Sequence, residues 1–408
     1  MITAIIWFAS FVMLFMTTFW FSILLFNGIK QEKTNLNILL NYPLVTIAIP
    51  CYNEEKKIIN TLNSIFLLNY KNIEVIVADD GSKDNTLNLV KNFSKTHSLT
   101  IISLNHKGKA HALNKTLEIS KGEFFSNVDA DSEVQPETLS LLLPHFSDES
   151  IAATVPFMQI KNPKKIISKI QKIEYLIAGV IRSLMSSIET LHLTHGVMTV
   201  YRTSLLKKLG GFDELTLTDD FEMGMRLIYH GYKIKMEAKA AVFTHPPLTF
   251  KALWRQRVRW FRGYIRHHIQ YSKMFLNQRY GMMGKFQFPI NILYPLIIIA
   301  LTSLTLITLF KTLRIKLMEL FSLGFSALNI NFLGVKETLL SLDYKLIFPI
   351  VVMLILGIYI FYISHILNKE KIKSPFVIFI FFVIYPYIIA SHWVSAFINE
   401  TGNLKKKW

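Results

Sequence analysis

Apolar residues in this chain are gathered rather than dispersed. One block fills residues 2–26, a second runs from 286 to about 397, and a region of mixed composition lies between them. Residues 2–26 carry no charge, and none appears before Lys30. At about 1.5 Å per residue, a helix of that length crosses a hydrocarbon core of about 30 Å. A cleaved leader has a basic start, a shorter apolar run and a small-residue cleavage site. None of these is visible, so a retained anchor over residues 1–28 is expected.

In the second block, 288–310, 346–367 and 376–397 are each long enough to span. The stretch 317–333, with Glu319, Gly324 and Asn329 inside it, reads as a span, a re-entrant piece or an interfacial helix. Residues 286–400 therefore hold three or four spans. The basic loop 368–374 lies inside if there are three. The tail lysines Lys405, Lys406 and Lys407 lie inside if there are four, and they tip the balance that way. Lys30, Lys33 and the basic stretch 251–285 flank the middle region, which the positive-inside rule assigns to the cytoplasm. The expectation is a multi-pass protein of the cell membrane whose partner is the lipid bilayer.

Lys and Arg number 45 against 28 Asp and Glu, a formal charge of +17. Juxtamembrane lysines account for this excess, so no nucleic-acid partner is expected. The clustering of a 51% hydrophobic composition excludes both a fully soluble enzyme and a disordered chain. A single cysteine, Cys51, excludes an internal disulfide framework or a multi-cysteine metal site.

The middle region alternates short apolar runs with helical patterns. Strands are expected over 45–49, 73–78, 100–104 and 124–128, and helices over 54–68, 84–95 and 109–120. That alternation indicates an α/β domain with a mostly parallel sheet covered on both faces, whose ligands bind beyond the carboxyl ends of the strands. Polar clusters fall at those ends: Cys51-Tyr52-Asn53-Glu54, Asp79-Asp80-Gly81-Ser82, His106-Lys107-Gly108-Lys109 and Asp129-Ala130-Asp131. No G-x-G-x-x-G follows a strand. Gly108-Lys109 lacks the earlier glycine of a P-loop.

Each cluster admits a chemical and a plain reading. Alternate residues at a strand end face the same way, so Asp129 and Asp131 can address one hard divalent cation and, through it, the phosphates of a nucleotide. A turn explains the same residues. Asp79-Asp80-Gly81-Ser82 is a turn with Ser82 or Asp84 capping the next helix, or it supplies a carboxylate to a nucleobase or sugar with Tyr52 as an aromatic face.

Thr218-Asp219-Asp220-Phe221-Glu222 opens a helix expected over 221–229. Three acids there suit the helix dipole, and Asp219 with Glu222 has capping-box spacing. The competing role is general base. Gln256-Arg257-Val258-Arg259-Trp260 lies on a helix running from 250 towards 268. Helical spacing puts Gln256, Arg259 and Trp260 on one face, suited to a pyrophosphate and a sugar ring. A basic helix lying on anionic lipid fits the same residues. The amphipathic stretch 164–188 is expected to be interfacial rather than catalytic. His195 and His245 have no second His or Cys at ligand spacing, so pocket-wall or structural roles are expected.

In order, these residues resemble the family 2 inverting glycosyltransferases of the GT-A fold, especially the membrane-embedded processive synthases. The matching segments are Ile49-Pro50-Cys51-Tyr52-Asn53-Glu54-Glu55, Asp79-Asp80-Gly81-Ser82, Gly108-Lys109-Ala110-x-Ala112-Leu113-Asn114, Asp129-Ala130-Asp131, Thr218-Asp219-Asp220 and Gln256-x-x-Arg259-Trp260. The resemblance implies a GT-A domain over residues 40–275 with interfacial helices, and a UDP-sugar, UDP-GlcNAc or similar, as donor. Poly-N-acetylglucosamine synthases are the nearest in character, with cellulose, chitin and hyaluronan synthases further off.

It further implies that Pro50, Tyr52, Glu54, Asp80, Lys109, Asp129, Gln256, Arg259 and Trp260 bind the nucleotide sugar. Tyr52 and Asp80 would hold the uridine. Asp129 and Asp131 would manage Mg2+ or Mn2+, and Asp220 would be the base. The product would be a β-linked polysaccharide made with inversion, and the resemblance extends to its export, with or without an accessory subunit. This chain departs from the family pattern at Asp219, usually Glu, and at His195 and His245. The same donor motifs would serve a single transfer to a lipid-linked acceptor. A transporter or scaffold that merely binds nucleotide is a third class, disfavoured by how few ionisable residues the spans contain.

Overall fold

The computed structural model describes residues 2–27, 42–324, 344–368, 370 and 374–402. They form two compact bodies. One comprises residues up to 28 together with 291–394, and the other comprises 29–290 with the residues from 395 on.

The larger body is built on an eight-stranded sheet of order β3-β2-β1-β4-β7-β6-β8-β5. Its elements, in chain order, begin with β1 (Val45–Cys51), α2 (Ile58–Phe66), β2 (Ile73–Asp79), α3 (Thr86–Phe93), β3 (Thr100–Ser103), α4 (Lys109–Ile119) and β4 (Phe124–Val128). β5 (Glu133–Val134), α5 (Thr138–Leu142), β6 (Ile151–Ile160), α6 (Ile166–Ser187), β7 (Val197–Arg202), α7 (Thr203–Lys208), α8 (Asp219–Tyr229), β8 (Lys233–Thr244) and α9 (Phe250–Gln270) follow. β1 runs parallel to β2 and to β4, and β2 parallel to β3, which is the expected parallel half. Every residue of β1 is buried, as a strand covered on both faces requires. Val45, Ile47 and Ile49 share one apolar cluster with Ile58, Leu62 and Ile65 of α2.

Two helices start later than their apolar periodicity suggests. Residues 54–57 and 84–85 stay in turns because the two loops lace together. The backbone N–H groups of Asn53, Glu54 and Glu55 donate to Ser82 Oγ (3.0 Å), Thr86 Oγ1 (2.8 Å) and Asp84 Oδ2 (3.2 Å), while Asn85 N–H donates to Glu55 Oε2 (3.1 Å). Side chains satisfy these donors, so nothing pulls the backbone into a further helical turn.

β7 turns the sheet antiparallel against both β4 and β6, and β8 then pairs parallel with β6. α6 packs on β6 and β8 as a core helix. Its Gly179 lies so close to the Phe157 ring that a Cβ would sit 2.3 Å from it. The stretch expected to lie at an interface thus has one face committed to the sheet.

In the smaller body α1 (Ile2–Asn27) packs along α11 (Tyr344–Leu367), with Phe21 edge-on to Tyr359 at 5.3 Å. α10 is a single helix over Phe288–Leu323, so residues 317–323 continue it and form no separate span, and 325–343 lie outside the described residues. A further helix is built from α12 (Pro375–Phe379), one π turn over Ile380–Ile384 and α13 (Tyr385–Thr401). By length and composition, three helices among the described residues can cross a membrane: Ile6–Phe26, Met283–Ser322 and Pro375–Thr401. Leu354–Leu367 is a shorter apolar one.

Candidate active site

The carboxyl ends of β1, β2 and β4 open into one cavity of about 580 Å3. Pro50, Tyr52 and Glu54 come from the end of β1, Asp80 from β2, Lys109 from the start of α4, and Asp129 and Asp131 from β4. Asp219 and Arg259 arrive from α8 and α9. Residues spread over more than two hundred positions therefore face one space, because a parallel sheet delivers all its strand ends to the same edge.

At its floor Lys109 Nζ donates to Asp129 Oδ1 at 2.5 Å and Lys57 Nζ to Asp131 Oδ2 at 3.2 Å. Burial works against the Lys109 ammonium, yet Asp129, Asp219 and Asp220 outweigh it and hold its pKa above the usual range. Burial raises the Asp129 carboxyl, with Asp131 adding and Lys109 opposing. Glu54 is raised by burial, then by its acidic neighbours, against Lys57. The site thus concentrates negative charge that its own lysines balance only in part.

Gly196 permits the Lys109–Asp129 contact. A Cβ there would lie 2.5 Å from Asp129 Oδ2 and 2.7 Å from Lys109 Nζ, and its carbonyl accepts the Asp129 N–H at 3.1 Å. Nothing in the spacing around this glycine signals that role. His195, beside it, is buried and held neutral, its pKa far below the usual value because charging it would require desolvation. Its backbone N–H and carbonyl both bond Thr199 Oγ1. His245 Nδ1 meets the Asp131 carbonyl at 2.7 Å. Neither lines the cavity, and each is tied to backbone groups or a hydroxyl beside it.

Asp80 is satisfied by the loop before α4. Its carboxylate accepts from Lys107 N (3.0 Å) and Gly108 N (2.8 Å), and its carbonyl meets His106 Nδ1 at 3.1 Å. Tyr52 is stacked by the His106 ring at 4.0 Å.

Asp220 stands beside the cavity, with Asp219 at its lining. Burial, then Asp219, push the Asp220 carboxyl up to about 6, with Lys109 opposing. Its Oδ1 accepts the Phe221 N–H at 2.8 Å, and its carbonyl accepts from Thr194 Oγ1 at 2.5 Å. The capping box is not made. Thr218 is the N-cap, without a side-chain bond, and Glu222 is buried against Arg226 and Tyr271. An acid with two good donors inside the fold has no reason to turn back to the helix start.

On α9 only Arg259 reaches the cavity. Gln256 Oε1 accepts from Arg257 Nη1 at 3.2 Å, and the Arg257 guanidinium lies over the Trp260 ring at 4.2 Å. Arg257 is the residue that motif reading passed over. It is 2% exposed and donates to Glu174 of α6 at 2.7 Å. The apolar periodicity of α6 gave no sign of this pair, which links residues 83 positions apart.

Known proteins resemble the chain in the same region. The family model described as "Glycosyltransferase like family 2" matches residues 43–263, more than half of the chain. A poly-β-1,6-N-acetyl-D-glucosamine synthase of Staphylococcus epidermidis is 32% identical over 266 residues, 63% of this chain and 64% of that protein. The Staphylococcus aureus protein of the same name is 31% identical over 222 residues, 54% of each chain. The chain thus aligns with less than two thirds of these relatives' length. Among solved structures, a mannosyltransferase from Pyrobaculum calidifontis in complex with GDP-Man and Mn2+ superposes with a TM-score of 0.63 at 18% identity, over 99% of this chain and 98% of that one. The sheet is the mostly parallel GT-A arrangement that the motifs implied, and the chain belongs to the glycosyltransferase-like family 2.

Proposed function

We propose that this protein is a membrane glycosyltransferase that moves a sugar from a UDP-sugar, UDP-GlcNAc or one like it, to the end of a growing β-linked polysaccharide with inversion. The observation that carries this reading is the single cavity into which Tyr52, Asp80, Lys109, Asp129, Asp131, Asp219 and Arg259 converge. The identities to poly-N-acetylglucosamine synthases support the polymer rather than a lipid acceptor.

In this reading Tyr52 and Asp80 hold the base, and Lys109 and Arg259 offset the diphosphate charge as it departs. Asp220 takes the proton of the acceptor hydroxyl. The acceptor oxygen bonds to the anomeric carbon from the side opposite the diphosphate, the bond to UDP breaks, and UDP leaves with the electron pair. Asp129 and Asp131 suit a hard divalent cation. Both carboxylates line the cavity, and burial, then neighbouring acids, raise the carboxyls of Asp129 and Glu54, a cost a cation would relieve. No group of three or more His, Cys, Asp or Glu among the described residues could hold a metal alone, so donor phosphates and water would complete the shell. When bound, Mg2+ or Mn2+ supplies neutralising charge to the diphosphate. Basic residues on both flanks support a cytoplasmic face for the domain. Export, with or without an accessory subunit, extends the same reading.

Membranes carrying the protein, given UDP-[14C]GlcNAc and Mn2+, should release UDP and build product many sugars long. A solvent-extractable labelled lipid as sole product would replace the polymer reading by single transfer. No UDP release from any UDP-sugar would overturn the donor assignment. Chelation by EDTA should remove at least about 90% of the activity, restored by Mn2+.

A further inference from the structure

His106 occupies an unusual position. Its ring lies on Tyr52 with centroids 4.0 Å apart and planes 19° from parallel. Its Nδ1 is 2.9 Å from Asp80 Oδ2 and 3.1 Å from the Asp80 carbonyl. Both neighbours are acceptors, so Nδ1 carries the hydrogen. A planar heteroaromatic ring therefore presents its face to Tyr52 and a ring N–H to the Asp80 carbonyl, beside a carboxylate that is 4% exposed. A nucleobase with a ring N–H would make the same two contacts.

The slot cannot hold both rings. A third ring between Tyr52 and His106 would need about 7 Å, twice the ~3.5 Å contact distance of stacked carbon atoms. On Asp80, Oδ1 accepts from Lys107 N and Oδ2 from Gly108 N, and the imidazole stands across the remaining approach, with Nδ1 2.9 Å from Oδ2. The His106 side chain itself is 56% exposed. It can rotate into solvent while the two backbone N–H bonds keep the loop on Asp80.

We propose that His106 competes with the nucleobase for its place in the nucleotide site: its imidazole lies on the Tyr52 face beside Asp80, and a base stacks there only by displacing it. This rests on the reading that Tyr52 and Asp80 receive a nucleobase. The competition weakens every nucleotide whose base uses that face by the same factor, because the closed free state is common to all of them.

The test is calorimetric titration of UDP and CDP, with Mg2+, into the full chain in detergent. His106→Ala should bind UDP on the order of tenfold more tightly, the worth of one hydrogen bond and a stacked pair at a half-exposed site. CDP should tighten by the same factor, so the ratio of the two affinities stays that of the wild type. UDP binding that is unchanged or weaker in His106→Ala, with the wild type binding normally, overturns the inference and leaves the donor reading intact. Binding of no nucleotide to either protein removes the donor reading and the inference with it. If the alanine variant is not recovered folded, His106→Phe decides. It keeps a ring on Tyr52 without an N–H for Asp80, so UDP should still bind more tightly than to the wild type, and equal affinity overturns the claim.

Discussion

A carboxylate that accepts a proton from a sugar hydroxyl works best with a pKa close to the working pH. Burial and the Asp219 charge give Asp220 that property by raising it to about 6. Turnover should therefore fall about tenfold per pH unit below pH 6, and Asp220→Asn should abolish it while donor binding survives. A variant that keeps turnover removes Asp220 as base. The sign for stability runs the other way. Between about pH 4, where an unfolded aspartate ionises, and pH 6, the folded protein retains a proton that the unfolded chain has lost, so stability falls as pH rises through that window. The asparagine variant should accordingly melt higher than the wild type at pH 7 and no higher at pH 4, checked by thermal unfolding in detergent. Motif reading could find Asp220 and its neighbour Asp219 but could not give Asp220 this property, because the larger cause is burial, which only the packing of the folded chain supplies.

At the scale of elements, α9 matters through the ridge it presses against the start of α8. Gly263 of α9 faces Thr218, and a Cβ would lie 2.2 Å from its Oγ1. Propensity alone says Gly263→Ala should stabilise a helix by about 1 kcal/mol. Contact says the opposite, because Thr218 must move and Asp219 and Asp220 follow it. We expect kcat to drop about a hundredfold with the donor KM changed less than threefold, and partial rescue by adding Thr218→Ala. Retained kcat would show that the neighbouring chain relaxes without moving the acids.

Legibility followed periodicity at this scale. The four parallel strands and their polar ends could be read because each is short, apolar and bounded. The other half of the sheet could not. β6 carries Pro156 beside a register shift, where a proline in the pattern argues against a strand. β8 covers 12 residues with lysines and a glutamate among its apolar ones. α6 read as interfacial because an amphipathic pattern is the same whether its apolar face meets lipid or a sheet.

For the molecule as a whole, a residue late in the chain is tied to α9. Within the larger body, Glu400 accepts from Arg262 at 3.0 Å and from Arg266 at 2.6 Å, and its side chain is 14% exposed. Glu400→Ala should cost on the order of 2 kcal/mol, read as a lower melting temperature, and should lower UDP release. An unchanged melt would mean that these bonds only replace equivalent ones to water. The boundaries 1–28, 40–275 and 286–400 remain the proposed domain plan, drawn from composition.

The paired lysines at the cavity floor have one further consequence. Asp129 and Asp131 arrive already escorted, each with an ammonium within hydrogen-bonding reach. A divalent ion approaching on its own must evict these internal counter-ions, whereas one travelling with a diphosphate brings anionic oxygens to which the evicted ammonium groups can turn. Ion and donor should thus enter as one cargo.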